Sequence, residues 1–268
     1  MQNRVDEALA QAAVSALTGQ LVLAPKPGLP DPRDLGATDG RDHRSLRWTA
    51  KALAPGLAAM AAAARRAGEP TEQLRGELGA IGRSAEHTVG LAGGGHRGAL
   101  WTLGLLVAAA ALTPDGHPMD TALTVKRIVA HTDRRAPRRP SRGSTVSATY
   151  GAAGARGEAR AGFPHVRRAL TALTVARASG VPEDHARLDA LLTVMSTLQD
   201  TELLHTAGPR GLRHVQSGAR AVLETGSTST PAGRTALAAL DTDLTARALS
   251  PRGSAGLLAG ALFLDATA

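Results

Sequence analysis

The stretch VPEDHARLDALLTVMSTLQD, Val181 to Asp200, decides the fold. Leu188, Leu191, Leu192, Met195 and Leu198 recur at spacings of three and four, so they line one face of a helix. Val181-Pro182 puts proline where a first helical residue sits, and Glu183 and Asp184 favour the positive end of the helix dipole. The spacing predicts a helix over 183–199 that ends in a polar cluster. The same pattern extends in both directions. Leu237, Leu240, Leu244 and Leu249 form a second stripe; Leu257, Leu258, Leu262 and Leu264 form a third. Thr230-Pro231 and Ser250-Pro251 pair a capping hydroxyl with proline, and Thr71-Glu72 is another start. The predicted helices are 4–23, 45–67, 71–90, 96–112, 119–131, 155–178, 183–199, 208–225, 231–248 and 252–266. Most are rich in Ala, the best helix former.

Composition points the same way. Of 268 residues 43% are hydrophobic but only 2% aromatic. Isoleucine occurs only at Ile81 and Ile128, so the core is Ala, Leu and Val rather than the bulk that suits sheets. The expected fold is all-α: a single-domain bundle of about ten helices over 1–268, with irregular regions at 24–44 and 132–154. Cysteine is absent, which excludes disulfides, thiolate metal sites and thiol nucleophiles. The first residues lack a signal-peptide pattern. The longest apolar stretch, Ala99 to Leu112, is shorter than the roughly 20 residues that span a bilayer. A cytoplasmic protein with no membrane partner is expected, and a homodimer is left open.

The net charge is +8, and it is concentrated. Lys126, Arg127, Arg134, Arg135, Arg138, Arg139 and Arg142 fall in one window whose only acid is Asp133. Such a segment suits a polyphosphate, nucleotide or nucleic acid. Lysine is rare, found at Lys26, Lys51 and Lys126 only, so an arginine-biased composition with a solvated basic loop is the plainer explanation. A basic helical nucleic-acid-binding protein is the competing class. The shortage of aromatics for base stacking and the lack of a recognition motif count against it.

Five segments carry polar chemistry. In Ala24-Pro-Lys-Pro-Gly-Leu-Pro-Asp31, prolines flank Lys26 and stiffen a turn that can present its charge to a phosphate, with Asp31 able to hold a metal or hydroxyl. In Leu91-Ala-Gly-Gly-Gly-His-Arg-Gly98, Gly94 and Gly95 bare backbone amides just before His96 and Arg97 at a helix start, a place that favours anions. It is not a Walker loop, because no Gly-Lys-Ser/Thr follows. Between Tyr150 and Pro164, Arg156 can fork to phosphate, while Glu158 can accept from a hydroxyl or ligate Mg²⁺. Gln199 to His205 carries Asp200 and Glu202 at a helix break. Ser250-Pro-Arg-Gly-Ser-Ala255 is a capped helix start.

Taken in order, the strings PKPGL, GGHRGA with WTLGLLVAAA, YGAAGARGEARAGFP, QDTELLH, VQSGARAVL, LAALDTDLTAR and SPRGSAGLLAGALFLD resemble the triphosphoribosyl-dephospho-coenzyme A synthases of citrate lyase and malonate decarboxylase. They span about residues 7 to 265, and the malonate-decarboxylase branch looks closest. The resemblance implies an all-α transferase whose substrates are ATP and 3′-dephospho-coenzyme A, with Mg²⁺. The dephospho-coenzyme A 2′-hydroxyl attacks C1′ of the ATP ribose, adenine leaves, and the triphosphate stays on the transferred ribose. Such chemistry needs a base, charge stabilisation and cations for the polyphosphate. It implies Lys26, Gly94, Gly95, His96, Arg97 and Arg156 as nucleotide-binding residues. It implies Glu158, Asp200 and Asp31 as catalytic carboxylates, with Glu158 and Asp200 also as metal ligands.

The chain departs from the family pattern at polar positions. Gly94-Gly95 stand where Asn-Thr precedes the histidine, Gly36-Ala37-Thr38 replaces Gly-Ala-His with Asp39 and Asp42 nearby, Glu202 replaces Asn or Cys, and Gly256 replaces an Asp. A diverged or inactive nucleotide-binding relative is therefore the alternative within the family.

Overall fold

The computed structural model describes residues 2–33, 43–137 and 139–268. Among them there are thirteen helices and no strand: α1 (Gln2–Leu21), α2 (His43–Lys51), α3 (Ala54–Ala67), α4 (Glu72–Leu91), α5 (Arg97–Leu112), α6 (Pro118–Ala130), α7 (Arg142–Tyr150), α8 (Gly154–Arg160), α9 (Pro164–Ala178), α10 (Glu183–Met195), α11 (Thr201–Glu224), α12 (Pro231–Ala246) and α13 (Arg252–Ala266). The all-α expectation holds. None of the described helices is long and apolar enough to cross a membrane.

α5 and α13 form the centre. Both are apolar nearly all round, as a helix enclosed by others must be. α13 packs against α1, α5, α9 and α10, and α5 is enclosed further by α3, α4 and α6. Leu103, Leu106, Leu258, Phe263 and Leu264 are fully buried between these layers.

The extra helices come from breaks that the stripes conceal. The predicted helix 45–67 is two, because the chain turns at Ala52-Leu53 and Pro55 opens α3 in its first turn. The predicted 155–178 helix is likewise two, parted at Ala161-Gly162-Phe163. Phe163 is buried with a positive φ of 49°, and Pro164 starts α9. α7 lies inside the region expected to be irregular; Ser141 caps it by accepting from Ser144 N, and only Val146 is buried. The helix expected over 208–225 starts earlier, at Thr201, and kinks at Gly208-Pro209. Thr71 and Thr230 are N-caps as predicted; Pro182 and Pro251 sit one position earlier than expected, at the cap itself.

Two devices fix the ends of the bundle. At one end, the PKPGL turn packs onto the α12–α13 connection. Gly28 has φ 66°, and a Cβ there would lie 2.1 Å from the Leu249 carbonyl oxygen, so backbone meets backbone. At the other end, Arg177 on α9 forks to Glu183 at the start of α10 (2.8 and 2.9 Å) and to Asp265 at the end of α13 (2.7 and 2.8 Å). The Arg177 hydrogen bonds hold Glu183 down to about 2, against a partial opposing effect of burial.

Two outcomes follow. Gly28→Ala meets both the positive φ and the Leu249 carbonyl, so it should destabilise the fold by about 1–3 kcal/mol in denaturant melts. Because the folded pKa of Glu183 is depressed, its contribution is full above about pH 4.5 and is lost as pH falls towards about 2. Arg177→Met should flatten that acid limb of a stability–pH curve. High salt should shrink the difference, since both partners are partly exposed.

Candidate active site

The segments singled out in the sequence meet where α5 and α13 begin. The Gly253 amide in the first turn of α13 donates to Asp200 Oδ2 (2.8 Å), tying α13 to the start of α11. Three residues on, Gly256 faces the first turn of α5: a Cβ on it would lie 3.3 Å from Ala99 N and 3.6 Å from the Gly98 carbonyl carbon. Gly256 therefore abuts the α5 N-terminus, where no side chain caps the helix. Gln199 accepts from Ala153 N (3.1 Å), and Trp101 Nε1 donates to the Ala155 carbonyl (3.3 Å), which brings α8 and Arg156 to the same end. Gly28 completes the set through Leu249.

The glycine turn is built for this place. Gly93, Gly94 and Gly95 have φ of 110°, 73° and 116°, a run that side-chain-bearing residues do not sustain. The turn opens onto a cavity of about 160 Å³ whose lining includes Glu86, Gly94, Gly95, His96 and Arg97. Arg97 is exposed and paired with Glu86 at 3.0 Å. His96 is buried, with Nε2 2.7 Å from the Leu46 carbonyl oxygen. A carbonyl only accepts, so Nε2 carries the proton, and Nδ1 is the ring's other polar atom. Burial pushes the His96 pKa down, so the ring is neutral near pH 7 and acts through shape and dipole rather than charge.

Lys26 is fully buried, and its Nζ donates to Gln20 Oε1 at 3.2 Å. Asp31 accepts from Lys26 N (3.1 Å) and from Arg33 through both the backbone and the guanidinium. Burial alone would raise its pKa; the hydrogen bonds to Arg33 and Lys26 prevail and hold Asp31 below the usual carboxylate range. Arg33 reaches on to Asp241 of α12 (2.6 Å). Asp31 is thus an ionised anchor of the loop. Asp200 is an anchor too: Oδ1 caps α11 through Glu202 N (2.8 Å) and Leu203 N (3.4 Å), while Oδ2 holds Gly253. Its burial raises its pKa against those three amides.

Glu158 has a different setting. Its Oε1 lies 2.7 Å from His165 Nδ1, and its Oε2 accepts from His165 N at 3.3 Å. His165 Nε2 lies 3.1 Å from Thr197 Oγ1 at the surface. A carboxylate on Nδ1 fixes the tautomer that leaves Nε2 basic, the arrangement used for general bases. Sequence reading missed His165. The available signal was Pro164-His165 closing the glycine-rich string, seven residues after Glu158.

Among the described residues no group of three or more His, Asp or Glu is placed to hold a metal. Glu158 and Asp200, expected as Mg²⁺ ligands, instead engage His165 and backbone amides, so these residues do not fit a protein-held ion. Gly36, Ala37, Thr38, Asp39 and Asp42 lie outside the described residues, as does Arg138. Lys126 and Arg127 belong to α6 and Arg142 opens α7, while the loop between them meets α4. Arg134 pairs with Glu72 and Asp133 with Arg83 (2.8 Å), and the segment ends where Gly143 meets Thr201.

Comparison with known proteins gives a single answer. Residues 6–268 match the model of a family described as ATP:dephospho-CoA triphosphoribosyl transferase. A protein of Azotobacter vinelandii named "Probable 2-(5''-triphosphoribosyl)-3'-dephosphocoenzyme-A synthase" is 46% identical over 265 residues, covering 97% of this chain and 91% of the relative. A protein of the same name from Pseudomonas fluorescens Pf-5 is 46% identical, and one from Stutzerimonas stutzeri A1501 is 44% identical, each over 264 residues with the same coverage. No solved structure matches. With a family model covering nearly its whole length, the chain belongs to the ATP:dephospho-CoA triphosphoribosyl transferases.

Proposed function

We propose that this protein joins the triphosphoribosyl group of ATP to the 2′-hydroxyl of 3′-dephospho-coenzyme A. The observation that carries the reading is the meeting of the glycine turn, Arg156, Glu158 and the Asp200–Gly253 tether at one end of the bundle, within a chain of this family. In the reaction the 2′-oxygen forms a bond to C1′ of the ATP ribose. The C1′–N9 bond breaks, and its electron pair leaves with adenine. The hydroxyl proton passes to a base, and the triphosphate is not cleaved.

The roles divide by geometry. Gly94, Gly95 and Arg97, at the uncapped start of α5, hold phosphate oxygens through amides and charge, with Arg156 alongside. His96 shapes the turn, its neutral ring tied to Leu46. Lys26 lends positive charge from below the surface. Glu158 serves as base through His165, whose Nε2 faces outwards. Asp31 and Asp200 hold the loops in place rather than take protons. Mg²⁺ arrives with the nucleotide. The product is the prosthetic-group precursor for malonate decarboxylase or citrate lyase; the likeness of the C-terminal strings favours the former.

Three measurements test this. Purified protein with ATP, Mg²⁺ and dephospho-coenzyme A should release one adenine per adduct formed, by chromatography, and no phosphate or pyrophosphate in step. Adenine without adduct would replace the reading with a nucleosidase; bound ATP with neither product would leave a binding protein. Arg97→Ala should raise the KM for ATP about 10–100-fold with little change in kcat, as expected for one charge-assisted contact. Glu158→Gln should instead lower kcat by about 100-fold or more at similar KM, the loss expected of a general base.

A further inference from the structure

A cluster of guanidinium groups around Trp101 stands outside the residues assigned above, except for Arg156. Arg75, in the first turn of α4, lies with its Cζ 5.2 Å from the centroid of the Trp101 ring. Trp101 is fixed at its N–H edge by its hydrogen bond to the Ala155 carbonyl, one residue before Arg156. Burial pushes Arg75 below the usual guanidinium range, and the charges of Arg83 and Arg156 add to that; Asp133 alone opposes it. Asp133, however, is already paired with Arg83, and Glu72 with Arg134. Among the described residues neither Arg75 nor Arg156 has an ion pair or a side-chain hydrogen bond. The acids present are thus hydrogen-bonded to Arg83 and Arg134, and leave Arg75 on the indole face and Arg156 beside the Trp101 hydrogen bond with no carboxylate of their own.

A partly buried guanidinium with five donors is costly to leave without an acceptor. Stacking on an aromatic face holds its plane and keeps the N–H edge free to fork onto a phosphate. Trp101 lies one helical turn beyond Arg97, so the cluster continues the cationic start of α5 towards α4 and α8.

We propose that Arg75, stacked on Trp101 and acting with Arg156, forms a subsite for a phosphate chain. The inference deepens the reading of the chain as a synthase, whose two substrates each carry such a chain, but the binding it requires can be measured without turnover. Arg75 is a binding residue here and takes no part in bond making.

The test is calorimetric titration of the full chain with inorganic triphosphate, ATP and dephospho-coenzyme A. Wild type, Arg75→Met, Arg75→Lys, Arg156→Met and a charge-matched control on α12, Arg234→Met, are compared. Arg75→Met keeps most of the apolar stem and should weaken binding about 10–100-fold with a melting temperature close to wild type. Arg75→Lys should fall between, since a point charge keeps attraction and loses the fork. Arg156→Met should weaken the same ligand, which keeps the test decisive if Arg75→Met does not fold. Losses confined to triphosphate and ATP assign the subsite to the ATP chain; losses confined to dephospho-coenzyme A assign it to that diphosphate. The proposal is overturned if wild type binds none of the three, if the Arg75 and Arg156 variants bind like wild type, or if Arg234→Met loses as much. Wild type that binds through Arg75 yet releases no adenine would refute the synthase reading and leave this subsite standing.

Discussion

Gly256 on α13 and the first turn of α5 approach so closely that a Cβ would touch the Ala99 backbone at 3.3 Å. Both helices are apolar nearly all round, so the bundle closes about them. Once their starts are side by side, every other polar segment has a fixed place to attach. Asp200 reaches the Gly253 amide, Trp101 reaches Ala155, and the Gly28 turn rests on Leu249. The gathering of these polar segments at one end is a consequence of how two core helices begin.

Charge is arranged on that frame by burial as much as by sequence. His96 and Arg97 are neighbours, yet one is a neutral ring under cover and the other an exposed cation. Asp31 and Glu158 are both buried carboxylates. The first is locked by Arg33 and two backbone amides, whereas the second meets a histidine whose far nitrogen faces outwards. Similar residue types diverge in role because their hydrogen-bond partners differ.

Much of this was legible in the sequence. Leucine stripes and Thr or Pro punctuation located most helices, since burial on one face imposes a 3.6-residue period. Breaks inside a stripe were harder: Pro55 and Phe163 interrupt runs whose apolar spacing continues across them. α7 left no stripe, because only Val146 is buried, and a serine cap with local bonds sustains it. The glycine-rich segments marked backbone breaks: Gly93, Gly94 and Gly95 take positive φ, and Gly28 meets the Leu249 carbonyl. The work of each carboxylate was not legible, because it depends on contacts far along the chain, such as Asp200 with Gly253. His165 was hidden for a related reason: its partner Glu158 lies across the α8–α9 break, so no single helix signalled the pair.

The central place of α13 bears on how the protein is made. α5 is made with apolar side chains on every face, and the helix that helps to cover it, Arg252–Ala266, follows about 140 residues later. At roughly 5–20 residues per second that interval is on the order of 10 s. During it the face of α5 that meets α13 is uncovered, although α3, α4 and α6 already lie against the rest. The end where the polar segments gather is assembled only once α13 joins.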